Sequence, residues 1–532
     1  LGDDSSASDR LVISNGTASG ATSIAIQNLG GTGASTTADG IMVVEAANGA
    51  TTADSAFSLS GRVAAGAFEY FLFRGGVSQG TTDSWYLRST LVTPPEGVAA
   101  PQPAPAPSPL APPAPPPEPQ TPEPPAPAPP PPVIPPPPLP PEATPDDPDP
   151  VDPAPPVQPE DPAPEAPPEP PPAPPVEPPP PPPPPAEKPA PVPPAPDPDE
   201  PEPEPPTLGA SRVMAEVVPL YRVEVPTYAV LPPAAHHLAM SSLGTFHERR
   251  GEQALLNGSG ALSNSWGRVF GQNIERKWSG TVEPTFDGRL SGFQLGQDLL
   301  GWNDGANRIG LMGGQARMHG DVRGQALGWN DLAVGGAEIE SDSLGAYWTH
   351  VAPKGWYLDA VVMKSWFDGR ARSEAAIGID LDGDGLSASV EGGYPFALTS
   401  EWSLEVQGQV VWQDFSFGDQ ADAYSTVIFD AEEAWTTRLG LRLQGDLNPG
   451  GTPVQPYLKA NIWRGLGAEQ RTGFDQDWIV SDLEGTSLEV GGGFAAFMTS
   501  AISLYASADY TTEIDGPKRE IVEGTIGISI LC

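Results

Sequence analysis

Cysteine is nearly absent: Cys532, the last residue, stands alone among 532. No intrachain disulfide and no cysteine-built metal site can form. Long apolar runs are missing too. No stretch of about 18 consecutive apolar residues occurs, which excludes a transmembrane helix. Membrane β-strands are short and alternate, so a mean hydropathy of -0.26 does not separate a soluble chain from a barrel. Positive charge is scarce: 27 Lys and Arg stand against 68 Asp and Glu, a net charge of -41. Nucleic-acid phosphates repel such a chain, and no basic stripe compensates. The acidic balance suits a secreted or surface protein. No basic stretch with a following apolar run opens the sequence at Leu1, so the chain reads as a fragment or a processed product. Neither a Gly-x-Ser-x-Gly elbow nor a phosphate-binding glycine loop is present. No catalytic residue and no cofactor is expected, and any enzymatic activity would lie upstream of Leu1.

Composition breaks sharply along what is there. Residues 1–93 are rich in Gly, Ala, Ser and Thr, with short apolar alternations at Leu11–Ile13, Ile24–Ile26, Ile41–Val44 and Phe57–Val63. Gly-containing turns separate them, so several short strands are expected. Residues 94–206 are dominated by Pro with Ala, Glu and Asp and contain no aromatic residue. They cannot bury a core, and a disordered, polyproline-II spacer that holds the folded N-terminal module away from the surface is expected; a ligand for proline-recognition modules is the sharper alternative.

Beyond residue 206 the chain alternates. Trp402, Leu404, Val406, Val410 and Trp412 share one parity; Glu405, Gln407 and Gln409 take the other. Trp435, Leu439, Leu441 and Leu443 oppose Arg438, Arg442 and Gln444 in the same way. Leu458 and Ile462 oppose Lys459 and Asn461, and Leu504 and Tyr510 oppose Ser503 and Asp509. Parity alone also fits a soluble sandwich. Trp and Tyr at segment ends, and a polar face carrying glycine and charges of both signs, favour a transmembrane barrel with a hydrated lumen. Twelve segments are expected in 266–532, beginning near Trp266, Gly288, Asn307, Ile339, Gly355, Leu386, Trp402, Trp435, Val454, Leu488, Ile502 and Ile521.

Residues 207–265 form a lead-in. Pro232-Pro233 precede a helix expected over 234–250, with Ala239, Leu243, Phe246 and Arg250 on one face and Gly251 ending it. Glu248, Arg249 and Arg250 suit a lipid-facing helix poorly. Inside the barrel they could pair with Glu391, Glu405, Arg438 or Arg442; a surface helix at the periplasmic side is the alternative. Asp380, Asp382 and Asp384, with Gly383 and Glu391, fit an EF-hand pattern, but the flanks read as strands, so an acidic surface loop is expected before a calcium site. His236-His237 are adjacent, splay about 100° on a helix and cannot chelate together.

These segments, in this order, resemble autotransporters of the type Va secretion class with pertactin-like passengers. The resemblance rests on Phe57, Leu59, Gly66, Tyr70 and Trp85-Tyr86-Leu87-Arg88; on Tyr221–Tyr228 and Leu243–Arg249; and on Trp266–Gly271, Gly292–Asp298, Ser389–Tyr394 and Pro456–Asn461. It implies an all-β architecture. A β-helix-type passenger end would act as an autochaperone through Phe57, Leu59, Gly66, Tyr70 and Trp85–Arg88. A pore helix would carry Leu243, Phe246, Glu248, Arg249 and Arg250, inside a monomeric twelve-stranded antiparallel barrel in the outer membrane. It also implies outer-membrane lipid, the barrel assembly machinery and periplasmic chaperones as partners, with a host-cell or bacterial ligand reached through the passenger. Two departures stand out. Such barrels usually end in Phe or Trp, where this sequence has Cys532 in phase with Ile526, Ile528 and Ile530, and the paired-Asn cleavage site is not evident.

Overall fold

The computed structural model describes residues 1–92, 102–103, 211–212, 217–251, 264–499 and 501–531. The chain divides into two units, Leu1–Ala111 with Glu204–Cys532, and Pro112–Pro203. The second unit, which holds most of the expected disordered linker, lies outside the described residues, as does Cys532.

Twelve long strands follow residue 263: β1 (Asn264–Lys277), β2 (Thr285–Trp302), β3 (Asn307–Ala326), β4 (Trp329–Val351), β5 (Tyr357–Ser373), β6 (Gly378–Ala397), β7 (Trp402–Phe417), β8 (Ala434–Gly445), β9 (Val454–Gly465), β10 (Gly485–Phe497), β11 (Ile502–Asp515) and β12 (Arg519–Leu531). Each pairs antiparallel with the next, and β12 returns to β1, with Ile526 opposite Val269. Closure leaves the barrel no unpaired edge.

Strand β8 shows which way the alternation points. Leu439 is 71% and Leu441 49% exposed, whereas Arg438 and Arg442 are each 2% exposed. A water-soluble sandwich has the opposite sense. Val269, Leu295, Leu344, Val390, Leu458 and Ile526 continue the apolar exterior around the cylinder. Trp302, Tyr394 and Trp402 are exposed near one end of it, and Trp435 and Tyr510 toward the other, as an interfacial girdle requires. Other ring-bearing residues turn inward, among them Trp266, Tyr347, Tyr357 and Tyr505.

Strands run from 12 to 23 residues, longer than the roughly 9–11 a bilayer needs. At the mouth ends of β4 and β6 the sense of alternation inverts, with Val334, Ile379 and Leu381 turned into the apolar core while Asp380, Asp382 and Asp384 are exposed, which masks where the strands start. The expected starts at Ile339 and Leu386 therefore fall well inside β4 and β6, which begin at Trp329 and Gly378. The same length corrects the loop expected around Asp380, Asp382 and Asp384. All three lie in β6 as exposed residues, and Asp384 pairs with Lys364 across the β5–β6 ladder. An extended strand strings alternate carboxylates along a line and lacks the sharp turn of a cation loop.

Between β1 and β2, β7 and β8, and β9 and β10, long connections leave one end of the barrel, here called the mouth. Their short strands Ser279–Gly280, Asp477–Asp482, Glu469–Phe474, Thr426–Ala431 and Gln420–Ala421 form a second sheet there. Among the described residues the other end has short turns, such as 303–306 and 398–401.

The N-terminal module is a piece of parallel β-helix. Leu11–Ser14 lies parallel to Ile41–Ala47, Thr17–Ala18 to Thr51–Thr52, and Thr22–Ile24 to Phe57–Leu59. Leu11 sits opposite Val44 and Thr22 opposite Phe57, so one rung stacks on the next about 33 to 35 residues later. Trp85–Arg88 then runs antiparallel to both Ile41–Val44 and Phe71–Arg74 and closes the stack.

Among the described residues, three helices lie between module and barrel: α1 (Glu224–Ala229), α2 (Leu231–Leu243) and α3 (Phe246–Arg250). One helix over 234–250 was expected. Helix α2 starts earlier because Pro232 and Pro233 fit inside its first turn, where no N–H partner is needed. It stops at Gly244, φ 61°, where a Cβ would press on the Arg268 guanidinium. Thr245 then restarts the helix with a capping box: its hydroxyl accepts the Glu248 N–H, and the Glu248 carboxylate accepts the Thr245 N–H at 3.0 Å. Gly251 ends α3, as expected.

Candidate functional site

The helices occupy the lumen. They enter at the mouth and descend, and β1 starts at the far end, beside the short turns. All of α1 is buried, as is most of α2. The wall they meet changes with depth. Near the mouth, Phe270, Ile274, Phe286, Leu290, Met318 and Val322 point inward and form one apolar core with Val225, Tyr228, Leu231 and Leu238. Deeper down, the wall is polar, and α3 meets it almost wholly through ions.

Each charge of α3 has a counter-ion on the wall. Lys459 Nζ lies 2.8 Å from Glu248, 2.8 Å from Glu489 and 3.2 Å from Asp509. Arg249 pairs with Asp359, which also accepts from the Thr349 hydroxyl at 2.6 Å. Arg250 donates to Asp298 at 2.8 Å, and Arg308 and the Tyr347 hydroxyl converge on the same carboxylate. His247 Nε2 lies 2.8 Å from Glu405, and Arg442 meets its other ring nitrogen at 2.8 Å. Glu391 accepts the Phe246 N–H at 2.9 Å and the Tyr357 hydroxyl at 2.7 Å, and sits 2.8 Å from Arg438. Buried charges this dense persist only when paired, because each unpaired ion costs several kcal/mol, on the order of 3–5 for a broken pair.

The four lumen residues read from the sequence, Glu391, Glu405, Arg438 and Arg442, are thus together around α3. Their partners differ from those expected. Glu405 and Arg442 hold His247, Glu391 holds the α3 backbone, and Arg438 holds Glu391. The counter-ions of Glu248, Arg249 and Arg250 are Lys459, Asp359 and Asp298, which were not anticipated. Each occupies the polar parity of its strand, and that parity is the signal available in the sequence. Leu243 and Phe246 are buried, Leu243 among Trp266, Met312 and Val411, and Phe246 stacked 4.4 Å from Tyr357. His236 and His237 face separate partners, Gln413 and Gln272.

The module residues are equally well packed. Trp85 donates to Thr52 Oγ1 at 3.0 Å and meets Phe57 edge-on at 5.4 Å. The Tyr70 hydroxyl lies 2.9 Å from the Gly2 and Ala34 carbonyls and accepts the Ala34 N–H at 2.8 Å. Leu59, Tyr86 and Leu87 are buried, and Arg88 lies over the Phe73 ring at 5.6 Å. Gly66, φ 56°, has no room for a Cβ against the Thr32 carbonyl.

The module rests on the mouth. Thr90–Val92 pairs antiparallel with Val217–Pro219, Phe68 stacks on Tyr221 at 5.5 Å, and Gly66 N–H donates to the Tyr424 carbonyl at 3.1 Å. These contacts correct the expectation that a proline spacer holds the module clear of the barrel. Arg62 forks onto Glu224 at 2.8 and 2.7 Å and also meets Glu69 at 2.8 Å. Burial opposes ionisation of Glu224, yet the Arg62 guanidinium holds its carboxyl below the ordinary value; at Glu69 burial wins and the value rises.

Comparison with known proteins follows the same divisions. Residues 265–509 match the autotransporter beta-domain family, and residues 1–72 the type 1 autochaperone domain family. The pertactin autotransporter of Bordetella bronchiseptica is 30% identical over 266 residues, 48% of this chain and 27% of that protein. The adhesin BmaC autotransporter of Brucella suis is 24% identical over 560 aligned residues, covering 100% of this chain and 13% of its own length. The transport unit of the autotransporter AIDA-I from Escherichia coli is a solved structure with TM-score 0.48 and 18% identity, covering 59% of this chain and 100% of that one. The chain spans about a quarter of the pertactin relatives it matches. With a segment stacked as β-helix and a lipid-facing barrel closed around the lead-in helices, residues 1–72 and 265–509 are the autochaperone domain and the beta-domain of an autotransporter, the barrel in the outer membrane and the passenger end at the cell surface.

Proposed function

We propose that residues 266–532 export the chain's own passenger, that 207–265 stay behind as the pore plug, and that 1–93 promote passenger folding, with 94–206 the Pro-rich linker between them. The observation that carries this is the thread itself. The module stands outside the mouth, the lead-in descends the lumen, and the first strand begins at the far end. A chain so arranged has passed its N-terminal side through the barrel or closed the barrel around it. Phe57, Tyr70 and Trp85 tie successive rungs together, which supports an autochaperone role. Their folding outside opposes return, and no nucleotide-binding motif offers another drive. The barrel assembly machinery, periplasmic chaperones and a monomeric barrel complete this reading. The adhesin name of the Brucella relative favours a passenger that contacts other cells. A porin-like channel fits less well, since the lumen is filled.

Topology tests the proposal. In a Cys532→Ser background, Leu11→Cys, on the exposed outer rung, should react with a membrane-impermeant maleimide on intact cells. Asn303→Cys, in a far-end turn, should react only after the outer membrane is opened. Equal labelling of both on intact cells would overturn the assignment.

A further inference from the structure

The charges Arg222 and Glu224 lie at the top of the plug, and both are 0% exposed. Neither could be buried without partners. Those partners come from three separate parts of the chain. From the module, Arg62 forks onto Glu224, and the Gly66 carbonyl accepts Arg222 Nε at 2.6 Å. From the β7–β8 connection, Asp422 pairs with Arg222, and Ser425 Oγ accepts Arg222 Nη2 at 2.6 Å. From the barrel wall, Ser373 Oγ donates to Glu224 at 2.7 Å. The Tyr424 ring receives both guanidinium groups, Arg62 at 5.1 Å and Arg222 at 5.5 Å.

Backbone bonds run through the same place. Leu220 N–H donates to the Ser89 carbonyl, Arg222 N–H to the Ala67 carbonyl, and Glu69 N–H to the Leu220 carbonyl. Residues 217–222 are therefore completed by the module on one side and continue directly into α1 on the other. A single apolar core runs from Trp85 and Phe57 through Val225 and Tyr228 to Phe474 and Ile479 of the mouth sheet.

We propose that the barrel mouth is a docking surface for this chain's own folded passenger end, and that docking locks the plug in the pore. While 1–92 are unfolded, Glu224 lacks Arg62, Arg222 lacks the Gly66 and Ala67 carbonyls, and Leu220 lacks the Ser89 carbonyl and the Glu69 N–H, so the plug's upper end is loose. Once the module folds, the network closes and the lead-in is fixed at both ends, by Arg62 above and by the ion pairs of α3 below. Folding at the surface and sealing of the membrane then become one event. This goes beyond export and does not require the displayed passenger to have any particular ligand.

The test uses the full chain reconstituted in planar bilayers, with hydrogen exchange on the same samples. The wild type should stay closed and protect the amides of Leu220 and Arg222. Arg62→Ala should raise both the open fraction of the pore and exchange across 217–229 by about tenfold or more, the scale of a lost buried ion pair. Protection of β7–β9 should not change. Should Arg62→Ala fold poorly, Phe68→Cys with Tyr221→Cys in a Cys532→Ser background gives a second arm: a disulfide should form in intact cells and keep the pore closed. Unchanged conductance and exchange in Arg62→Ala, or failure of the cysteine pair to join in displayed protein, would overturn the lock. Surface labelling at Leu11→Cys, read on the same variants, shows whether export itself has failed.

Discussion

Lys459 of β9 and Glu248 of α3 stand 2.8 Å apart in the lumen, 211 residues apart in sequence. Glu489 and Asp509 face the same ammonium. Lys459→Met removes the ammonium that these three carboxylates share and should loosen α3 at a cost of about 3–5 kcal/mol. Frequent openings in single-channel recordings are the expected result, with the barrel still heat-modifiable on gels.

Removing the plug altogether should do more. Deletion of residues 234–250 takes away most of α2 and all of α3, and steady conductance should rise to that of an open pore. Conductance equal to the wild type would show that these helices do not seal the lumen.

Trp85→Ser deletes a fully buried ring, its bond to Thr52 and its contact with Phe57. A loss of about 3–5 kcal/mol follows from truncating such a side chain. The module should become protease-sensitive at the surface while the barrel remains folded. Tyr70→Ser should act in the same direction.

Tyr70 gives the module an alkaline limit. Burial pushes its phenol up to about 12, against 10.0 ordinarily. Its folded value lies above its unfolded one, so its contribution is complete below pH 10 and lost as pH rises through the folded value. Unfolding of the module, followed by tyrosine absorbance and protease sensitivity, should steepen between about pH 10 and 12. Tyr70→Phe should remove that part of the loss.

Much of this fold was legible because alternation survives wherever a strand has lipid on one side and water or ions on the other. Strands β7, β8, β9 and β11 were read in register for that reason. Strands β1 to β3 alternate poorly because the sense inverts along their length: near the mouth Ile274, Phe286 and Met318 face the apolar plug while Asp287, Arg289, Arg317 and His319 are exposed, and deeper Val269, Leu295 and Leu311 face outward. Local sequence also showed the end of α3 at Gly251, but not the break at Gly244, where the crowding comes from Arg268, far along the chain. The residues Glu391, Glu405, Arg438 and Arg442 were found by parity. Which counter-ion each helix charge takes depends on depth and azimuth in the barrel, and no local pattern encodes that. Docking of the module was hidden for the same reason: Arg62 and Glu224 are 162 residues apart.

The sense of the alternation in β8 is the most direct test. Single cysteines at 438, 439, 441 and 442 in a Cys532→Ser background, each carrying a fluorophore, would be reconstituted in bilayers bearing quenchers on the acyl chains. Labels at Leu439 and Leu441 should be strongly quenched and labels at Arg438 and Arg442 spared. Quenching that is equal at all four sites, or reversed between the two pairs, would contradict a lipid-facing barrel around a polar, plugged lumen.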